Sequence, residues 1–132
     1  MNVEAFIMCD AATQSGGKLN VLGAFDTIYA RGMPMVHPHC AIALRIRFSR
    51  IEQGEYPIRI NIINQDGEHV IPTLDGRTRV AIDDERDSAV TNLILNINGL
   101  PFRDYGKYAV DLMLDGKPMA TIPLHARPAQ DR

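Results

Sequence analysis

The densest group of metal-binding side chains lies in one short segment, His37–Cys40. Zinc accepts imidazole nitrogen and thiolate sulfur together, and His37, His39 and Cys40 offer both. Structural zinc sites usually draw their ligands from two separated pairs, and a second pair is missing here. The residues that would have to complete the site are Cys9, His69 and His125. Two interpretations therefore stay open: a metal or small-ligand site, and a surface loop that carries polar imidazoles.

A second group of possible ligands is the acidic segment 83–87, which contains Asp83, Asp84, Glu85 and Asp87. Carboxylate oxygens are the ligands that calcium prefers. The segment lacks the alternating Asp/Asn positions, central glycine and distal glutamate of a helix-loop-helix calcium site. A hydrated loop that keeps a strand edge from pairing with other chains is the alternative interpretation.

Three arginines, Arg45, Arg47 and Arg59, fall on the outward faces of predicted neighbouring strands. Together they would form a stripe that binds an anion or a partner. The predicted strand order places the strand of Arg59 beside the strand that carries Asp111, so an exposed cross-strand ion pair is the simpler expectation.

No recognised catalytic pattern occurs in the sequence. It contains no nucleophile elbow, no dinucleotide fingerprint and no His-Glu-x-x-His zinc motif. Gly16-Gly17-Lys18 lacks both the upstream glycine and the following Ser or Thr of a phosphate-binding loop. We therefore expect a protein without enzymatic activity and without a cofactor, although scattered Asp and His residues leave an enzyme open.

Composition and charge narrow the class of partner. The 132 residues carry a formal net charge of −2 and 45% hydrophobic residues, which is typical of one globular domain. This charge argues against nucleic acid and acidic membranes as partners. The first residues lack the basic start and long apolar run of a signal peptide. We expect a cytoplasmic protein whose two cysteines, Cys9 and Cys40, stay reduced.

The elements that must position these groups are short strands separated by turn signals. The clearest is Ala41–Arg50, in which Ile42, Leu44, Ile46 and Phe48 alternate with polar residues. Lys18–Ala30 is predicted as one strand, and Arg31–Pro38 as a proline-marked crossing between sheets. Eight to nine such strands predict an all-β antiparallel sandwich with little or no helix. We expect one domain over residues 1–127 and a flexible tail over 128–132.

The segment Asp104–Val110 resembles the entry to the sixth strand of an immunoglobulin-like domain. In that fold a tyrosine near the start of the strand bonds the backbone through its hydroxyl, and Tyr108 is the matching residue here. Val110 takes the place of the second core cysteine, and the chain has no tryptophan. The resemblance implies the architecture without the disulfide-and-tryptophan core.

A second resemblance covers almost the whole chain. The chain resembles a family of small, functionally uncharacterised bacterial proteins in the sequence of three N-terminal segments, Val3–Phe6, Cys9–Ala12 and Gly17–Asp26. It also resembles them at His37-Pro38 and in the strand segment 43–48. The resemblance implies a bacterial, soluble, single-domain protein. It implies no activity.

The function favoured by the sequence is therefore non-catalytic binding to a protein partner or to a second copy of the chain. The first strand is apolar on both faces, and the segment Met33-Pro34-Met35 is predicted to be exposed. The predicted interaction surface comprises Phe6, Met8, Met33 and Met35. The alternative function is metal or small-ligand binding by His37–Cys40.

Overall fold

A computed structural model describes residues 1–130 as two β-sheets packed face to face. The nine strands are β1 (Asn2–Ser15), β2 (Lys18–Ala24), β3 (Thr27–Ala30), β4 (Met35–Ser49), β5 (Gly54–Ile63), β6 (Leu74–Val80), β7 (Ser88–Phe102), β8 (Gly106–Leu114) and β9 (Lys117–Pro128). A single 3₁₀ turn, Arg50–Glu52, follows β4 within the described residues. The predicted all-β sandwich is confirmed. Among residues 1–130 there is no helix long and apolar enough to cross a membrane.

The first sheet has the order β2-β1-β4-β7 and the second the order β3-β9-β8-β5-β6. Neighbouring strands are antiparallel except for β3 and β9, which pair in parallel from Thr27↔His125 to Ala30↔Pro128. In immunoglobulin lettering, β1, β4 and β7 take the places of strands A, B and E, and β9, β8, β5 and β6 those of G, F, C and C′. Strand D, which extends the A–B–E sheet beyond E, has no counterpart among the described strands.

The core lies between the sheets, and the inward-facing side chains of β4 lie at its centre. Ile42, Leu44, Ile46 and Phe48 are fully buried, as the alternation of the sequence predicts. From the other sheet, β5, β8 and β9 contribute the same alternating pattern of buried side chains. The core is therefore assembled from strands that are distant in the sequence.

Both faces of β1 are apolar because each one packs against another part of the protein. Phe6 and Met8 point into the core, whereas Cys9 lies on the opposite face. There Cys9 packs with Ala41 and Ala43 under Ala12 and Leu19 of the β1–β2 hairpin. Both faces are thus covered within the chain itself.

Two predicted strand boundaries differ from the structure. Lys18–Ala30 is two strands in different sheets, because the chain crosses between the sheets at Phe25 and Asp26. The strand β4 begins at Met35 and passes through Pro38, which we predicted to lie in a crossing. Pro38 is opposite Gly99, at the one position where the β4–β7 pairing skips a residue pair, so the missing N–H breaks little of the ladder.

The predicted tail also differs in part. Pro128 is the last residue of β9, and the Ala129 amide donates a hydrogen bond to the Ala30 carbonyl oxygen over 2.9 Å. Residues 131 and 132 lie outside the described residues.

Candidate interaction surface

The three candidate metal ligands of β4 have separate surroundings. The ring of His37 packs against Phe25 with ring centroids 5.9 Å apart. His39 is exposed, and its Nδ1 lies 2.8 Å from Oδ1 of Asn98 on β7. Cys40 is fully buried in the core. The fold thus holds the three side chains in different environments, and no group of three His, Cys, Asp or Glu residues within 1–130 could hold a metal ion.

The two cysteines are buried thiols on opposite faces of the first sheet. Burial, with a smaller effect from neighbouring Cys9 and Asp10, raises the pKa of the Cys40 thiol to about 11. Burial also raises the pKa of Cys9, whose Sγ lies 3.6 Å from the Ala41 carbonyl oxygen. Both thiols are therefore protonated at neutral pH and poor metal ligands.

An arginine occupies the centre of the acidic loop. Nη2 of Arg50 donates hydrogen bonds to the carbonyl oxygens of Asp83, Asp84 and Arg86, with the Asp84 oxygen 2.6 Å away. Its Nη1 also lies 3.6 Å from the Asp84 carboxylate. The loop is thus held by a guanidinium group from the 3₁₀ turn that follows β4.

The three arginines do not form one stripe, because β4 and β5 belong to different sheets. Arg45 and Arg47 both bind Glu4, with Nε–O distances of 2.9 and 2.7 Å. A bulge in β1 between Val3 and Ala5 brings Glu4 opposite them. The strand of Arg59 lies beside the strand of Asp111, as predicted, but Asp111 is opposite Asn61. Arg59 forms its cross-strand ion pair with Asp75 on β6, at 2.9 Å. Asp111 instead accepts a hydrogen bond from Thr121.

The residues predicted to form an interaction surface are largely internal. Phe6 and Met8 are only 9% and 1% exposed. Met33 and Met35 are half-buried and pack against the same core. These four side chains contribute to packing between the sheets, and the exposed apolar surface lies elsewhere.

A cleft of about 390 Å³ opens at one end of the sandwich, between segments 64–70 and 101–108. Its walls are well braced: Asn64 Oδ1 accepts hydrogen bonds from two backbone amides, and the Tyr108 hydroxyl donates to the Asp104 carbonyl oxygen. Side chains of both charges line it, including Arg103, Lys107 and Asp66. This mixture does not select one class of ligand.

The four edge strands of the two sheets differ in how they are protected. The edge strand β3 has only four residues, and β6 carries Asp75, Arg77 and Arg79. The edge strand β2 begins with Lys18 and has an irregular backbone at Gly23, with φ +67°. Charges, short length and irregular backbone are the usual means by which proteins keep sheet edges from pairing with other chains.

The edge strand β7 has none of this protection over most of its length. Its fifteen residues, Ser88–Phe102, include no Asp, Glu, Lys or Arg. It pairs with β4 on one side from Met35↔Phe102 to Ser49↔Ser88, and its other side has no strand partner within residues 1–130. Gly99 and Pro101 interrupt only its last part. We call residues 89–98 of β7 the open edge.

The open edge is held in place by a polar network on the outer face of the sheet. Asn92 Nδ2 donates to the Gly17 carbonyl oxygen at the tip of the β1–β2 hairpin, and Arg45 donates to both Asn92 and Gly17. Arg47 also donates to the Ser88 hydroxyl at the start of β7. These contacts fix the strand against β4 and leave its outer edge uncovered.

The sequence contains one feature that indicates the open edge, the absence of charged residues over the length of β7. A run of fifteen residues without a charge is visible in the sequence, but only the strand order reveals that the run lies at an edge. The alternation of Leu93 and Leu95 with Asn92 and Asn96 is consistent with either a central or an edge strand.

Over residues 1–130, the fold and this surface define an immunoglobulin-like sandwich without a strand D, in which strand E is an open edge. The sequence profile of a family of unknown function, DUF6941, matches residues 4–127. The chain belongs to that family. A search of curated proteins found no match.

Proposed function

We propose that this protein is a non-catalytic binding module that takes up an extended polypeptide as an additional strand on the open edge of β7. Strand addition uses the unpaired backbone N–H and C=O groups of an edge for affinity and the side chains on both faces for selectivity. The observation that carries the proposal is the length of β7 without a charge, in a sheet whose other edge strand has only seven residues, begins with Lys18 and has a left-handed residue at Gly23.

The side chains of the open edge support this proposal. Leu93 and Leu95 face the core but remain half-buried, because no strand lies beyond β7 to cover them. An added strand would cover both leucines and satisfy the backbone groups of the edge in one step. The protein needs little rearrangement for this, since Arg45, Asn92 and Gly17 already hold the strand in place.

The proposed setting is the cytoplasm of a bacterium. The two cysteines remain separate thiols, buried on opposite faces of one sheet, which suits a reducing compartment.

The test is site-specific photo-cross-linking in the cells that produce the protein. A benzophenone amino acid replaces Asn96, an exposed residue of the open edge, and in a matched control it replaces Arg79, an exposed residue of edge strand β6. We expect a covalent adduct with one polypeptide, identified by peptide mapping, from position 96 and none from position 79. Equal labelling at both positions, or no adduct at position 96, would contradict the proposal.

A further inference from the structure

We infer that the strand which occupies the open edge is β7 of a second copy of this chain, antiparallel and centred on Ile94. This inference rests on the proposed function and names its partner. The product is a two-fold symmetric dimer in which two four-stranded sheets join into one continuous sheet of eight strands.

The sequence of the open edge is close to a palindrome. Asn92-Leu93-Ile94-Leu95-Asn96 reads the same in both directions. When two identical strands pair antiparallel about a two-fold axis at Ile94, each residue faces its mirror position in the second copy. Ile94 then faces Ile94, Leu93 faces Leu95, and Asn92 faces Asn96. An interface of this kind must be self-complementary, and a palindromic strand meets that requirement residue by residue.

The two faces of the paired strands are also compatible. On the inner face, the leucines of the two copies meet and extend each core across the junction. On the outer face, Ile94 lies between asparagines. Asn92 uses one amide hydrogen for Gly17 and accepts from Arg45, and it keeps further hydrogen-bonding capacity for Asn96 of the second copy. Cross-strand neighbours lie about 5 Å apart, within reach of paired amides.

Charge does not oppose the pairing. Two identical strands that pair antiparallel bring like charges together wherever a charged residue lies near the centre. The open edge has no charged residue, so no such repulsion arises. In contrast, two copies of β6 that paired about Thr78 would place Arg77 of one copy opposite Arg79 of the other.

The position that the second strand occupies is the one that strand D takes in an immunoglobulin domain. Here the chain runs from β6 through the 81–87 loop directly into β7 without such a strand. The Arg50 contacts draw that loop towards the end of β4, away from the length of the edge. In the dimer, β7 of the second copy therefore takes the place that strand D of the same chain takes in other sandwiches.

Sedimentation velocity over a range of protein concentrations tests the inference. We expect the wild type to form a dimer, and Ile94→Lys to raise the dimer dissociation constant on the order of 100-fold or more, because two ammonium groups then face each other at the axis. The matched control Leu22→Lys introduces the same charge on the other edge strand, where Leu22 is 72% exposed, and should leave the constant unchanged.

A cross-linking variant keeps the test decisive if Ile94→Lys fails to fold. Ile94→Cys places two thiols across the axis, and a short bismaleimide should join them, whereas Leu22→Cys should give no covalent dimer. Cys9 and Cys40 are fully buried and should not react in either variant.

The outcomes separate this inference from the proposed function. A wild type that remains monomeric at about 1 mM, or a dimer insensitive to Ile94→Lys and not joined through position 94, overturns the self-pairing. If position 96 meanwhile cross-links to a different polypeptide, the proposed function stands and only the identity of its partner changes.

Discussion

At the scale of single residues, Tyr108 connects the local sequence to the fold. Its ring lies in the core at 86° to that of Phe102, with centroids 5.0 Å apart. Its hydroxyl donates to the Asp104 carbonyl oxygen over 2.6 Å. The sequence predicted this corner because the residue and its spacing from the turn are local features. The buried tyrosine thus fixes the turn that leads from β7 into β8.

Removal of this hydroxyl should cost about 0.5–1.5 kcal/mol, the net contribution of one hydrogen bond. Urea denaturation of Tyr108→Phe measures the loss. Tyr29→Phe is the control, since Tyr29 is mostly exposed and should give no measurable change. Equal stability of the two variants would show that the corner does not depend on this bond.

A second residue-scale prediction concerns Glu4. Hydrogen bonds from Arg47 and then from Arg45 hold the pKa of Glu4 below its ordinary value of 4.5 in the folded protein. A carboxyl group whose pKa is lower in the folded state stabilises the fold above its ordinary pKa, and this contribution disappears as the pH falls through the folded-state pKa. We expect NMR titration of the Glu4 carboxyl to show the lowered pKa.

Substitution of Arg47 tests whether the arginines cause the lowered pKa of Glu4. Arg47→Gln should move the pKa of Glu4 back towards its ordinary value and reduce the loss of stability on acidification below about pH 4.5. Arg59→Gln removes an arginine that pairs with Asp75 on the other sheet, so it should leave the Glu4 titration unchanged. If Glu4 titrates identically in all three proteins, the ion pairs do not hold in solution.

At the scale of the element, Gly106 shows how one backbone conformation starts a strand. It opens β8 with φ +143°, a region that residues with a side chain rarely adopt. A Cβ there would also lie 2.8 Å from Nε2 of Gln65 in the facing loop. The glycine thus allows the two walls of the cleft to approach each other.

Gly106→Ala should therefore lower the free energy of unfolding by about 1–3 kcal/mol, the usual cost of one strained residue. Gly32→Ala is the control: no atom beyond the adjacent residues lies within 4 Å of its Cβ position, and its φ falls outside the strained region. Chemical denaturation compares the two variants. A cost at position 32 equal to that at position 106 would contradict the argument.

The alternation of each strand could be predicted from the sequence, but the order of the strands could not. Residues 42–48 of β4 occupy the predicted faces because side-chain direction follows locally from a period of two. Strand order depends on pairing between segments that are distant in the sequence. This order determines that Arg59 pairs with Asp75 and that segment 18–30 is divided between two sheets. The sequence of β1 alone predicts an exposed surface at Phe6 and Met8, because the hairpin that covers the other face of β1 is not visible in it.

At the scale of the whole molecule, association and stability are linked. If the dimer forms through β7, the folded state binds a second folded copy and the unfolded state does not, so the melting temperature should rise with protein concentration. Differential scanning calorimetry over a hundredfold range of concentration measures this. The Ile94→Lys variant should melt at a temperature that does not depend on concentration. A concentration-independent wild type would show that the fold gains nothing from association.

The parallel pairing of β3 with β9 determines when the second sheet can close while the chain is being synthesised. Thr27 meets His125, and Ile28 meets Ala126, so the partner of β3 emerges from the ribosome only about 100 residues later. Until then β3 has no strand beside it, although the strands β4 and β7 of the other sheet can already pair. Contacts between such distant segments slow folding. Of the N-terminal strands, β3 alone must therefore wait for the last strand, and shortening β9 should delay or prevent the closure of the second sheet.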